Sequence, residues 1–170
     1  MPGSVISLSS TWQIVKDNAM ASREPTAKLK TILVPIDGSG ASLEAVALAC
    51  SLAKRNKGKV YVVHVIEVKR SLSLDADLSA EVAQGEEILS RAEKIADDQD
   101  FEVEGELLQA REAGHAVVDE AAERRADVII VGLEAERPFG GFQLGRLPQY
   151  ALKNAPCHVW LWRQAPEGAK

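Results

Sequence analysis

One stretch, Asp127 to Arg163, constrains this chain more than any other. It opens on the β-branched run Asp127-Val-Ile-Ile-Val-Gly132 and continues through a loop, Leu133 to Leu144, that carries Pro138, Gly140 and Gly141. Gly145-Arg146-Leu147-Pro148 leads into a predicted helix, Pro148 to Asn154, and a second apolar run, Cys157 to Trp162, closes the unit. Short apolar runs bounded by turn residues suit strands buried on both faces of a parallel sheet. Strand, glycine-bearing loop and helix start together make a place for an anion, because unpaired backbone N–H groups and the helix dipole face one spot.

The alternation extends upstream. Lys30 to Asp37 reads as a first strand, with Pro35 near its end because proline cannot donate to a ladder. Asp37-Gly-Ser-Gly-Ala-Ser42 reads as the turn, its serines capping a helix that runs to about Asn56 and stops with Gly58 at C′. Val60 to Ile66 is the second strand, and a long loop from Glu67 to Leu78 follows it. Ser79 is the expected N-cap of a helix to about Asp98. Phe101 to Leu108 reads as a third, edge-like strand, and His115 to Arg125 as a helix. This β-α-β-α-β-α-β-α-β order predicts an α/β fold: an open five-stranded parallel sheet, doubly wound, with helices on both faces. Ligands of such sheets bind beyond the strand C-termini at the switch point of strand order. Asp37 and Gly132 mark two such ends, so the first and fourth strands are expected to be neighbours there. Residues 30–163 form the expected domain, between an N-terminal extension and linker, 1–29, and a tail, 164–170. Met20 offers an alternative start.

Composition narrows the function classes. A net charge of −5 with scattered Lys and Arg argues against a nucleic-acid groove. No apolar run reaches membrane-spanning length, and the N-terminus lacks a signal-peptide pattern, so the expected location is cytoplasmic. Cys50 and Cys157 sit in apolar surroundings without C-x-x-C spacing and read as reduced core thiols. His64, His115 and His158 are too scattered for a metal site, and Cys157-His158 point to opposite faces of a strand. No metal site is therefore expected. Nor is a catalytic residue, since neither a G-x-S-x-G nor a P-loop pattern is present and no general acid/base pair stands out.

Four motifs together resemble the universal stress protein family. They are Ile32-Leu-Val-Pro-Ile-Asp-Gly-Ser39, His64-Val65, Ala126-Asp-Val-Ile-Ile-Val-Gly132 and Asn154-Ala-Pro-Cys157. The resemblance spans Lys30 to Arg163 and implies an adenine nucleotide alpha hydrolase-like, Rossmann-like domain. By resemblance the nucleotide contacts would come from Pro35, Ile36 and Asp37, from Val65 beside adenine, and from Gly132, Ala135, Gly145, Arg146 and Leu147. Nucleotide-binding members carry G-x2-G-x9-G-(S/T). Gly132 and Gly145 match, whereas Ala135 replaces the second glycine and Arg146 the hydroxyl residue. A Cβ at Ala135 disfavours a tight phosphate wrap. Arg146 exchanges a hydroxyl for a guanidinium that can pair with phosphate, and Pro148 removes an N–H. Glu134 and Glu136 add like charge to the loop.

The resemblance implies a regulatory module binding an adenine nucleotide (ATP, ADP, AMP or cyclic AMP), with Mg2+ only alongside the nucleotide. Mono- and diphosphates or cyclic AMP are expected over ATP, through Arg146. Alternatively Arg146 folds back onto Glu134 or Glu136 and closes the pocket. Two other functions compete: a dimeric stress or interaction protein without nucleotide, and a slow ATPase. Related domains dimerise through the last strand, which implies a homodimer built on Val159, Trp160, Leu161 and Trp162. The competing expectation covers the two indoles within one chain. The loop segments Arg70 to Asp75 and Ala110 to His115 are similar to those of universal-stress domains fused to amino-acid transporters, and Arg111 and His115 are candidates for the cleft mouth.

Overall fold

A computed structural model describes residues 29–73, 78–134 and 143–165. Residues 1–28 and the Ala135–Phe142 stretch, with Glu136, Pro138, Gly140 and Gly141, lie outside them, as does the tail from 166. Five strands form one sheet: β1 (Thr31–Pro35), β2 (Lys59–Glu67), β3 (Glu104–Ala110), β4 (Val128–Leu133) and β5 (His158–Arg163). Four helices join them: α1 (Gly40–Asn56), α2 (Ser79–Asp97), α3 (Ala113–Glu123) and α4 (Arg146–Asn154). The order is β3-β2-β1-β4-β5 and every pair is parallel. β1 and β4 are therefore neighbours, as expected, with Ile32 beside Val128 and Leu33 beside Ile129.

The two-residue period of the strands sorts the core into two layers. Ile32, Val34, Val60, Val62, Val128 and Ile130 face α1 and α2, which contribute Val46, Cys50, Ile88, Leu89 and Ala92. Leu33, Val63, Ile129 and Val131 face α3, meeting Val117 and Ala121, with Leu147 of α4 at the margin. Asp127 clamps the far end of the switch point, its Oδ2 accepting the N–H groups of Lys30 and Thr31 at 2.8 Å each. On the α3 side Arg124 lies 4.2 Å over the Tyr61 ring and pairs with Glu106 and Glu120, tying helix to sheet.

Several local expectations shift. α1 ends on Lys57, which takes the left-handed conformation (φ 52°). Gly58 is needed for another reason: a Cβ there would lie 2.3 Å from the Lys30 carbonyl oxygen. Ser79 is the first residue of α2 rather than its cap, Leu78 preceding it. β3 begins three residues later than read, because Phe101 and Val103 pack against the α2-side core before the chain joins β2. α3 starts at Ala113. α4 starts at Arg146, two residues before Pro148, since proline is tolerated within a first turn.

Candidate functional site

Beyond the C-terminal ends of β1, β2 and β4 lies a cavity of about 350 Å³. Pro35, Ile36, Asp37, Val65, Gly132, Gly145, Arg146 and Leu147 all line it. These are the residues singled out from the sequence, save Ala135, which is outside the described residues. The sheet brings together residues more than a hundred positions apart because β1 and β4 pair at the reversal of strand order.

The β1 wall is a folded turn. Ser39 caps α1: its Oγ accepts the Ser42 N–H at 3.2 Å, while the Ser42 hydroxyl donates to the Ser39 carbonyl at 2.9 Å. Gly38 takes φ 85°, a conformation that favours glycine, and so aims the chain into the helix. Asp37 Oδ1 accepts the Ser39 N–H at 2.9 Å, an Asx-type turn. Partial burial pushes the Asp37 carboxyl up, but hydrogen bonds from Ser39 and Ser42 together outweigh it and hold the carboxyl below its ordinary range. Asp37 thus presents an anion at neutral pH. His64 also lines the cavity, but its Nδ1 lies 2.8 Å from the Ile36 carbonyl oxygen. A carbonyl only accepts, so Nδ1 carries the proton and the ring braces β1 against β2.

The β4–α4 wall differs. Gly132 borders the cavity, yet its lack of a Cβ serves packing: a Cβ would stand 2.2 Å from the Ala41 carbonyl oxygen in the first turn of α1. Gly145 precedes α4 with an ordinary φ of −65°, and among the described residues a Cβ there meets only Pro148, at 3.7 Å. Arg146 and Leu147 open the helix, so their N–H groups are among the orphan donors of its first turn, while Pro148 has none to offer. Gln149 spends its side-chain amide on the Leu144 carbonyl at 2.6 Å.

Among the described residues Arg146 pairs with Glu67 and not with Glu134. Its Nη2 lies 3.0 Å from Oε2 of Glu67, at the end of β2. Glu134 lines the cavity without being that partner, and Glu136 is outside the described residues. Glu67 Oε1 meanwhile accepts the Ala113 N–H at 2.9 Å, so one carboxylate caps α3 and holds the first residue of α4. The sequence offered one signal for Glu67, an acid at the C-terminal end of a strand, where ligands of such sheets bind. Arg111 and His115 do not line the cavity. Arg111 straps the loop after β2, donating to the carbonyls of Val68, Lys69 and Leu72. His115 pairs with Glu112 at 3.1 Å and lies against Tyr150, ring centroids 4.0 Å apart.

At the opposite edge of the sheet the two indoles of β5 part company. Trp160 is half-buried against the α1-side core, whereas Trp162 is 40% exposed with its N–H 3.3 Å from Glu44. Among the described residues no group of three or more His, Cys, Asp or Glu side chains converges as a metal site, and no helix is long and apolar enough to cross a membrane.

An open parallel sheet with a cavity at its switch point defines the class: an α/β domain of adenine nucleotide alpha hydrolase-like fold. The sequence profile of the universal stress protein family matches residues 28–163, and the chain belongs to that family. A universal stress protein of Methanocaldococcus jannaschii is 31% identical over 136 residues, 76% of this chain and 79% of that one. A universal stress protein structure from Archaeoglobus fulgidus superposes with a TM-score of 0.66 at 25% identity, covering 77% of this chain and 96% of that one. An Archaeoglobus fulgidus universal stress protein in complex with dAMP gives 0.62 at 23%, covering 77% and 95%.

Proposed function

We propose that this chain is a regulatory module that binds an adenine nucleotide in the switch-point cavity and reports occupancy through its contacts with a partner. The carrying observation is convergence: eight residues that the family resemblance implies as nucleotide contacts line one cavity of about 350 Å³. The similar Archaeoglobus protein in complex with dAMP supports the ligand class. Charge sets the preference within it. Among the described residues, Asp37, Glu67 and Glu134 line the cavity, and Arg146 brings it one guanidinium. A triphosphate therefore meets more repulsion than a monophosphate or a cyclic nucleotide. Mg2+ belongs to this reading only with the nucleotide, beside the Asp37 carboxylate.

Calorimetry with AMP, ADP, ATP and cyclic AMP tests it, together with mass spectrometry of ligand released from purified protein. AMP or cyclic AMP should bind more tightly than ATP. Arg146→Ala should weaken AMP by about 1–2 kcal/mol, roughly five- to thirtyfold. ATP binding more tightly than AMP, with Arg146→Ala equal to wild type, overturns it.

The second reading, an interaction protein without nucleotide, is favoured by the Arg146–Glu67 pair, in which the protein supplies its own anion to the guanidinium. No bound ligand and no heat with any nucleotide would select it. Either reading includes a homodimer. β5 is an edge strand carrying Leu161 at 36% and Trp162 at 40% exposure, and α4 adds Leu152 at 52%. Light scattering at tens of micromolar should give twice the chain mass, and a Trp162→Lys variant should give the monomer.

A further inference from the structure

Glu67 and Arg146 border two spaces at once: the switch-point cavity and a groove between α3 and α4 lined also by Glu112, His115, Tyr150 and Lys153. Their pair is open to water, the arginine side chain 83% and the glutamate 40% exposed, so neither is locked in place by packing. An exposed pair of this kind is held weakly and exchanges partners readily. We propose that Glu67 is a specificity-determining residue. It acts as an internal competitor for Arg146, so that a ligand must bring its own anion to draw the guanidinium into the cavity.

The inference rests on the nucleotide reading and deepens it. A phosphate takes the guanidinium from Glu67 by offering a bidentate, doubly charged acceptor in place of a single carboxylate oxygen. A neutral nucleoside offers Arg146 nothing, and leaves the pair intact. The exchange touches the fold at one further point, because Glu67 also accepts the Ala113 N–H at the start of α3. A glutamine at that position keeps an oxygen for Ala113 and loses the charge that holds Arg146. Glu67→Gln therefore separates the competitor from the cap.

The experiment titrates AMP and adenosine into wild type, Glu67→Gln, Arg146→Ala and the double variant at one ionic strength. Glu67→Gln should bind AMP roughly three- to fivefold more tightly than wild type, the range an exposed pair supports. Adenosine affinity should stay within twofold, and in the Arg146→Ala background the Glu67→Gln effect on AMP should vanish. In wild type, the Arg146 side-chain NMR resonances should shift with AMP and not with adenosine, a reading that needs no variant to fold. If AMP binds but Glu67→Gln leaves its affinity unchanged or lowers it, or if adenosine gains equally, the competitor role is overturned while the nucleotide reading stands. If neither ligand binds wild type or Glu67→Gln, both fall together.

Discussion

Gly132 and Gly145 stand on the same side of one cavity, and the sequence pattern treats them as equivalent phosphate-loop glycines. The structure separates them. Gly132 is glycine because the backbone of α1 passes where its Cβ would be. Gly145 has a φ open to any residue and free space beside it among the described residues, so none of these asks for glycine there. One of these glycines builds the wall and the other leaves it open. A glycine that the protein's own packing does not require is the better marker of a ligand than one that packing explains.

The largest expected effect breaks the packed member of the pair. Gly132→Ala should destabilise the domain by about 3 kcal/mol, because the atoms in the way are the Ala41 carbonyl and the Ser42 nitrogen, main-chain groups that cannot rotate aside. Thermal unfolding should show a midpoint lower by roughly 6–12 °C. A loss under about 0.5 kcal/mol would mean that α1 slides freely on β4.

Gly145→Ala should do the reverse. Stability should fall by less than about 1 kcal/mol, alanine being a poorer helix cap than glycine. AMP binding should weaken by about tenfold, or ~1.4 kcal/mol, since Gly145 lines the cavity and an added Cβ meets no core residue among those described. Equal losses of stability and binding at both glycines would dissolve the distinction.

Cys50 reports on the packed wall from behind. It is fully buried on α1, and burial pushes its thiol up to about 11, so at pH 8 almost none is thiolate. Cys157 is partly exposed and its thiol is also raised, first by burial. A thiol reagent should label Cys157 ahead of Cys50 in wild type, and Gly132→Ala should accelerate Cys50 alone. Equal Cys50 rates in the two proteins would show that α1 had not loosened.

The smallest effect concerns Asp37 on the packed turn. Its folded carboxyl titrates below the unfolded value of 3.8, so its contribution to stability is fully present above that value. The contribution is lost as pH falls through the lower, folded value. The stability gap between wild type and Asp37→Asn should therefore be constant from pH 7 to about 5 and shrink below pH 4. A gap that widens on acidification would reverse the assigned shift. Because Asp37 is exposed to the cleft, the gap itself should be a fraction of a kcal/mol.

The five strands, their parallel pairing and both core layers were legible because each rests on a short-range pattern. Val128 to Val131 is buried along its whole length, which only a strand covered on both faces needs. The switch point was legible too, since Asp37 and Gly132 each follow an apolar run, and alternation of strand and helix leaves few topologies. Strand and helix ends were less so. α4 starts at Arg146 rather than Pro148 because a first turn tolerates proline, and α1 ends on a left-handed Lys57 because Gly58 is claimed by the Lys30 backbone.

What the sequence alone determined is the architecture and the position of the cavity, which follow from periodicity and from where apolar runs stop, and eight of its lining residues, which follow from the family resemblance. What only the tertiary structure decided is how those residues are used. The Glu67–Arg146 pair joins positions 79 apart and appears once β2 and α4 end at the same mouth. The reason for Gly132 lies in a helix about ninety residues earlier in the chain, and it is the packed core that covers Trp160, while Trp162 stands at its rim with its N–H on Glu44 of α1. Local patterns specify which face of an element is apolar. Which side chain meets which across the cleft depends on distances between elements, and those exist only after the sheet has formed.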